Sequence, residues 1–170
     1  MPSPSYPKLW IPAMLLILMV MAGPAGAVSL VAGDPAPNFS LKSLEGKRVT
    51  LEQFKGRTVV IAFWSTWCSR CEEELTFLRD QFGSRTDVAV LLVNQDGEKG
   101  AVLAKVRGMR DKLGITFPIL LDEGLNTWEG YGIHALPTSV VVDKGGAVKL
   151  VEPNFYWASP EKLLTAVGKG

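Results

Sequence analysis

Val59-Val60-Ile61-Ala62-Phe63-Trp64-Ser65-Thr66-Trp67-Cys68-Ser69-Arg70-Cys71 decides the fold of this 170-residue chain. Residues 59–64 are a continuous apolar run, the pattern of a strand covered on both faces. After the cysteines come Leu75, Leu78 and Phe82 at helical spacing, ending at Gly83. Cys68 is therefore expected at the start of a helix and Cys71 about one turn inside it. Free N–H groups and the positive end of the helix dipole favour a thiolate at Cys68, making it the exposed, attacking sulfur. Cys71 becomes the resolving thiol. The expected chemistry is attack on a partner disulfide, a mixed disulfide through Cys68, and release by Cys71.

Two plainer uses of the pair are weaker. A bridge across two residues closes too small a loop to restrict the unfolded chain much. A structural zinc site needs about four Cys or His ligands, whereas this chain has two Cys and one His.

Outward from this segment the pattern alternates between strands and helices. Residues 39–41 and 48–51 flank a turn at Ser43-Leu44-Glu45-Gly46 and predict an N-terminal β-hairpin. Residues 88–93 predict a second buried strand. A surface crossover helix follows over 98–113, with Val102, Val106, Met109 and Leu113 turned inward. Residues 117–120 predict a short extended piece and residues 125–131 a short helix ending at Gly132. Residues 139–142 and 147–151 flank Asp143-Lys144-Gly145-Gly146, a second hairpin. Ser159 as N-cap, Pro160 at the first helical position and Gly168 near the end mark a last helix. The order implies an α/β fold, with helices on a central mixed β-sheet and no second domain.

Composition agrees with a globular domain, at 47% hydrophobic and 21% charged residues. Part of the apolar excess is local. Residues 9–22 are almost wholly apolar behind Lys8, and Ala25-Gly26-Ala27 precedes Val28. Residues 1–27 are expected to be a secretory signal peptide or an uncleaved N-terminal membrane anchor, and residues 28–170 the folded domain. Either places the domain outside the cytoplasm, in the periplasm or an equivalent compartment. Without Lys8, 17 Lys and Arg face 17 Asp and Glu, so the formal charge is zero. Nothing in that balance attracts nucleic acid.

The chain resembles the thioredoxin superfamily, in particular the exported TlpA/ResA/CcmG-like group related to the redoxins. The resemblance rests on Gly33-Asp34-Pro35-Ala36-Pro37-Asn38-Phe39, on residues 62–71 with Glu74 downstream, and on Gly132-Ile133-His134-Ala135-Leu136-Pro137-Thr138. It implies a thioredoxin fold with an added N-terminal hairpin, and a protein thiol-disulfide oxidoreductase with no cofactor beyond the Cys68–Cys71 disulfide. It implies that Pro137 is cis, faces the cysteines and with Leu136 forms a ledge for the client chain, and that Glu74 accepts the Cys71 proton. Clients would be proteins with cysteines or disulfides, cytochrome c precursors among them, and electrons would come from a membrane thiol donor.

Three departures from the family pattern are visible. Arg70 stands where Pro commonly precedes the second cysteine, Thr76 replaces a Pro after it, and Ala62 occupies the place of a buried Asp found in many thioredoxins. Ser69 and Arg70, between the sulfurs, are thus candidates for tuning the redox poise. Trp67 is a candidate apolar contact for partner chains, and Trp64 is assigned to the core. Glu72, Glu73 and Glu74 have a plainer reading as acids favouring a helix start. Two competing functions are a Cu(I) carrier using Cys68, Cys71 and His134, and a thiol peroxidase. Thr66 stands only two residues before Cys68, which does not fit the peroxidase pattern.

Overall fold

The structure, a computed structural model, describes residues 1–2, 29–97 and 99–168. The expected signal or anchor segment falls almost wholly outside the described residues. Among those described, no helix is long and apolar enough to cross a membrane.

A seven-stranded sheet runs in the order β2-β1-β5-β4-β3-β6-β7. The apolar run becomes β3 (Thr58–Trp64) and the second run becomes β4 (Val88–Asn94), paired in parallel at the centre with every residue buried. β5 (Ile119–Leu121) continues the parallel set on one side. β6 (Thr138–Val142) and β7 (Val148–Pro153) form the antiparallel hairpin on the other. The N-terminal hairpin, β1 (Ser40–Ser43) and β2 (Arg48–Thr50), docks antiparallel on β5 and widens the sheet. The sheet is mixed and flanked by helices, as expected of a thioredoxin fold with an added hairpin.

Alternation along β3 sorts the core into two layers. Val60, Ala62 and Trp64 face Leu75, Leu78 and Phe82 of α1 (Ser69–Phe82), Val106 and Leu113 of α2 (Ala101–Leu113), and Leu163 and Val167 of α4 (Ser159–Val167). Val59, Ile61 and Phe63 face Phe39, Leu51, Tyr131 and Ile133, beside α3 (Asn126–Gly130). Each large apolar side chain so covered contributes about 1.5–3 kcal/mol. Trp64 is completely buried, as its core assignment requires. The expected inward face of α2 is sorted by depth: Val106 and Leu113 are buried, while Val102 and Met109 are only partly covered.

Several boundaries differ by one or two residues: β1 spans Ser40–Ser43 rather than 39–41, β5 Ile119–Leu121 rather than 117–120, α3 Asn126–Gly130 rather than 125–131, and the cap of α4 moves as well. Ala158, not Ser159, is the N-cap of α4, and Ser159 is its first residue. The Ser159 hydroxyl turns inward, where it accepts from the Tyr156 N–H at 2.7 Å and donates to Glu152 Oε1 at 2.8 Å. A buried carboxylate thus takes the hydroxyl that sequence assigns to a cap.

Candidate redox site

β3 ends at Trp64, and the chain crosses Ser65, Thr66 and Trp67 before α1 begins. Two groups at the end of β4 fix this crossing. The Thr66 N–H donates to Asp96 Oδ2 at 2.7 Å, and the Asn94 side-chain amide donates to the same oxygen at 2.9 Å. Neither residue stands out in the sequence, because Asn94 reads as the polar end of an apolar strand. Cys68 is the N-cap of α1, and Cys71 lies one turn inside, its N–H donating to the Cys68 carbonyl at 3.1 Å. The two sulfurs are bonded, with Cα atoms 5.3 Å apart.

Cys71 is wholly buried. Cys68 retains 8% exposure, less than expected of an attacking sulfur. The physical reason is the recess around it, formed by Trp67, Ser69, Arg70, Leu136 and Asn154. Cys68 nevertheless remains the more accessible of the two. Alkylation of the reduced protein near neutral pH should therefore label Cys68 first, as peptide mapping would show, and faster labelling of Cys71 would reverse the roles.

The recess joins two distant parts of the chain. Leu136 precedes a cis bond to Pro137, as the resemblance implied. The Asn154 N–H donates to the Pro137 carbonyl at 2.6 Å, tying the end of β7 to this loop. Asn154 and Phe155 take positive φ of 67° and 39°, in a tight turn that buries Phe155 against Phe77 and leaves Tyr156 exposed. Trp67 is 75% exposed at the rim, so an apolar face and the sulfur share one opening.

Arg70 pairs with neither Glu73 nor Glu74. Its guanidinium lies over the Tyr156 ring, 5.0 Å from the centroid. A cation held there, next to the helix start, would add to the dipole in favouring a thiolate at Cys68. Arg70→Ala should raise the Cys68 pKa by roughly 0.7 unit, corresponding to about 1 kcal/mol, and make the disulfide less oxidising by roughly 20 mV. Thiolate absorbance and equilibration with glutathione measure both quantities; unchanged values would leave Arg70 as a surface charge.

The three adjacent glutamates separate in space. Glu72 reaches across to α2 and pairs with Lys112 at 2.7 Å. Glu73 is exposed, while Glu74 is completely buried. Residues three apart share a helix face, so Glu74 lies one turn below Cys71. Burial pushes the Glu74 carboxyl up to about 8; the Ser139 hydroxyl opposes that shift and the negative charge of Glu152 adds to it. No hydrogen bond of standard geometry among the described residues ends on either Glu74 oxygen. A buried acid poised near neutral pH can take and return a proton at physiological pH.

His134 is exposed on the loop before Leu136. Among the described residues no group of three or more His, Cys, Asp or Glu side chains is arranged to hold a metal ion. Of the residues of the copper alternative, Cys68 and Cys71 are bonded to each other here, and His134 lies on the loop before Leu136.

The class is that of thioredoxin-fold thiol-disulfide oxidoreductases. The chain belongs to the AhpC/TSA family, whose model matches residues 32–151. It is 30% identical over 144 residues to the thiol-disulfide oxidoreductase ResA of Bacillus anthracis, covering 79% of this chain and 82% of that protein. It is 34% identical over 155 residues to the thioredoxin-like protein YneN of Bacillus subtilis, covering 84% and 88%. Among solved structures, a Chlorobium tepidum protein described as the thiol:disulfide interchange protein DsbE superposes with a TM-score of 0.73 at 28% identity, over 82% of this chain and all of that one. An exposed lipoprotein thioredoxin of Streptococcus pneumoniae gives 0.64 at 28%, over 76% and 98%. This chain is an enzyme of the ResA/DsbE type, with Cys68 and Cys71 as its cysteine pair.

Proposed function

We propose that this enzyme works outside the cytoplasm as a reductase of client protein disulfides, with no cofactor beyond its own disulfide. The observation that carries the proposal is the graded placement of three groups along α1: Cys68 at the cap, Cys71 buried one turn in, and Glu74 buried below it. The reduced Cys68 thiolate attacks the client disulfide and displaces one client thiolate. Glu74 takes the proton from Cys71, whose thiolate then attacks Cys68 Sγ. The Cys68–Cys71 disulfide closes, and the client leaves carrying the electron pair. Glu74 acts here as a general base with a proton affinity near the working pH. Leu136, Pro137 and Trp67 receive the client chain around the sulfur, and Ser69 and Arg70 set the poise.

A membrane thiol donor would restore the dithiol, and cytochrome c precursors are the client class the resemblance favours. Export is supported by residues 1–27 and by the lipoprotein character of the pneumococcal neighbour. The test is reduction of a disulfide-bonded protein substrate by the reduced enzyme, with Cys68→Ser as the control. Activity that is absent in the parent, or that survives in Cys68→Ser, would overturn the proposal.

A further inference from the structure

Glu74 is not the only carboxylate buried on the α1 and α4 side of the sheet. Ala62 of β3, Ser139 of β6 and Glu152 of β7 are direct neighbours across the sheet. They form one row on the face covered by α1 and α4, because opposed residues point to the same side. The row is polar where a core row is usually apolar. Glu152 is 4% exposed and Ser139 is completely buried. Glu152 accepts from Ser159 Oγ at 2.8 Å and from Lys162 Nζ at 2.9 and 3.0 Å, while the Lys162 side chain stays 54% exposed.

Two buried acids thus face one region, and their partners differ. Glu152 holds a cation and a hydroxyl. Glu74 has no cation, and the hydroxyl that acts on it, Ser139 Oγ between β3 and β7, makes no hydrogen bond of standard geometry. The groups that act on Glu74 are Ser139 on β6 and Glu152 on β7; Cys71 lies one turn up its own helix, and Ser159 and Lys162 of α4 bind Glu152. Ala62 on β3 contributes no charge. A second negative charge in a region of low polarity is costly, and a nearby cation offsets it.

We propose that Glu152, held by Ser159 and Lys162, is a positioning residue of the redox site: its charge, balanced by Lys162, governs when Glu74 takes up and gives back the proton exchanged with Cys71. A structural salt bridge would only hold α4 to the sheet. This arrangement gives the pair a chemical effect with a definite sign at each member. The proposal rests on Glu74 being the base for Cys71.

The step that reads it is resolution of a mixed disulfide. Reduced enzyme and 5,5′-dithiobis(2-nitrobenzoate) give one thionitrobenzoate as Cys68 is captured. A second is released when the Cys68–probe bond breaks, the Cys68–Cys71 bond forms and the Cys71 proton passes to Glu74. The rate of the second release against pH has an inflection set by Glu74. Glu152→Gln, which keeps the shape and removes the charge, should move the inflection toward acid by about one pH unit, a tenfold rate change at fixed pH on the rising limb. Lys162→Met leaves the Glu152 charge unbalanced and should move the inflection toward alkali. Lys162→Arg should restore it.

Opposite shifts with rescue by Arg establish the proposal. Shifts in the same direction, or an unmoved inflection in folded Glu152→Gln, overturn it. Glu74→Gln separates the two levels. If that variant removes the inflection while Glu152→Gln leaves it in place, only the role of Glu152 fails. If Glu74→Gln itself keeps the inflection, Glu74 is not the base and both fall.

Discussion

With Cys71 replaced by serine, the enzyme should accumulate covalently on its clients through Cys68, and turnover should fall by at least about three orders of magnitude. The reason lies in the geometry of α1. Cys71 is one turn from Cys68 with Cα atoms 5.3 Å apart, so its attack is intramolecular. Well-oriented intramolecular groups reach effective molarities of about 10⁵ M and above. No external thiol matches that, so the mixed disulfide persists until an added reductant resolves it. Serine fills nearly the same volume in a site with no solvent exposure, and the fold should be retained. Non-reducing electrophoresis followed by mass spectrometry checks the result and identifies the trapped clients. Cys68→Ser should trap nothing. Equal trapping by both variants, or rapid resolution without Cys71, would remove the two-sulfur mechanism.

Glu74→Gln should make the oxidised protein more stable at alkaline pH and flatten the dependence of its stability on pH. The Glu74 carboxyl is raised from 4.5 to about 8 by burial, with Ser139 opposing and Glu152 adding to the shift. Between these values the unfolded chain has already lost the proton that the folded chain still holds. The contribution of Glu74 to stability is therefore fully present below about pH 4.5 and is lost progressively as pH rises through about 8. The whole interval corresponds to roughly 3–5 kcal/mol. A neutral Gln of nearly equal shape has no proton to lose, so the variant and the parent should diverge with rising pH. Urea unfolding of the oxidised forms at pH 5 and pH 9 measures the difference. A parent whose stability is unchanged between the two would mean that Glu74 is not buried as an acid. The same variant should also slow the Cys71-dependent step, separating a costly buried group from its chemical use.

Much of this molecule is legible in one dimension, because local chemistry dominates where it is legible. Residues 59–64 are apolar without interruption over a strand's length and rich in β-branched and aromatic side chains, the pattern of a strand covered on both faces. The cysteine spacing, set between such a strand and a helical repeat, places one sulfur at the cap and the other one turn inside. The second hairpin follows from Gly145-Gly146, where Gly146 takes a φ of 92°. Other features depend on pairings across the sheet or between helices, which no local pattern records. Glu72, Glu73 and Glu74 are indistinguishable as neighbours. Packing of α1 on β3 buries the third, while Lys112, forty residues away, takes the first. Ser159 reads as a cap until Glu152 is brought beneath it. Arg70 reads as a charge between two sulfurs until the turn after β7 brings Tyr156 under its guanidinium. The α/β order and the reacting pair are readable along the chain, because periodicity and residue spacing are local properties, and the thioredoxin fold follows from the family resemblance. Which carboxylates are buried, what each faces and how closed the recess around Cys68 is emerge only once the chain is folded, because burial and charge coupling arise between residues that the chain keeps far apart.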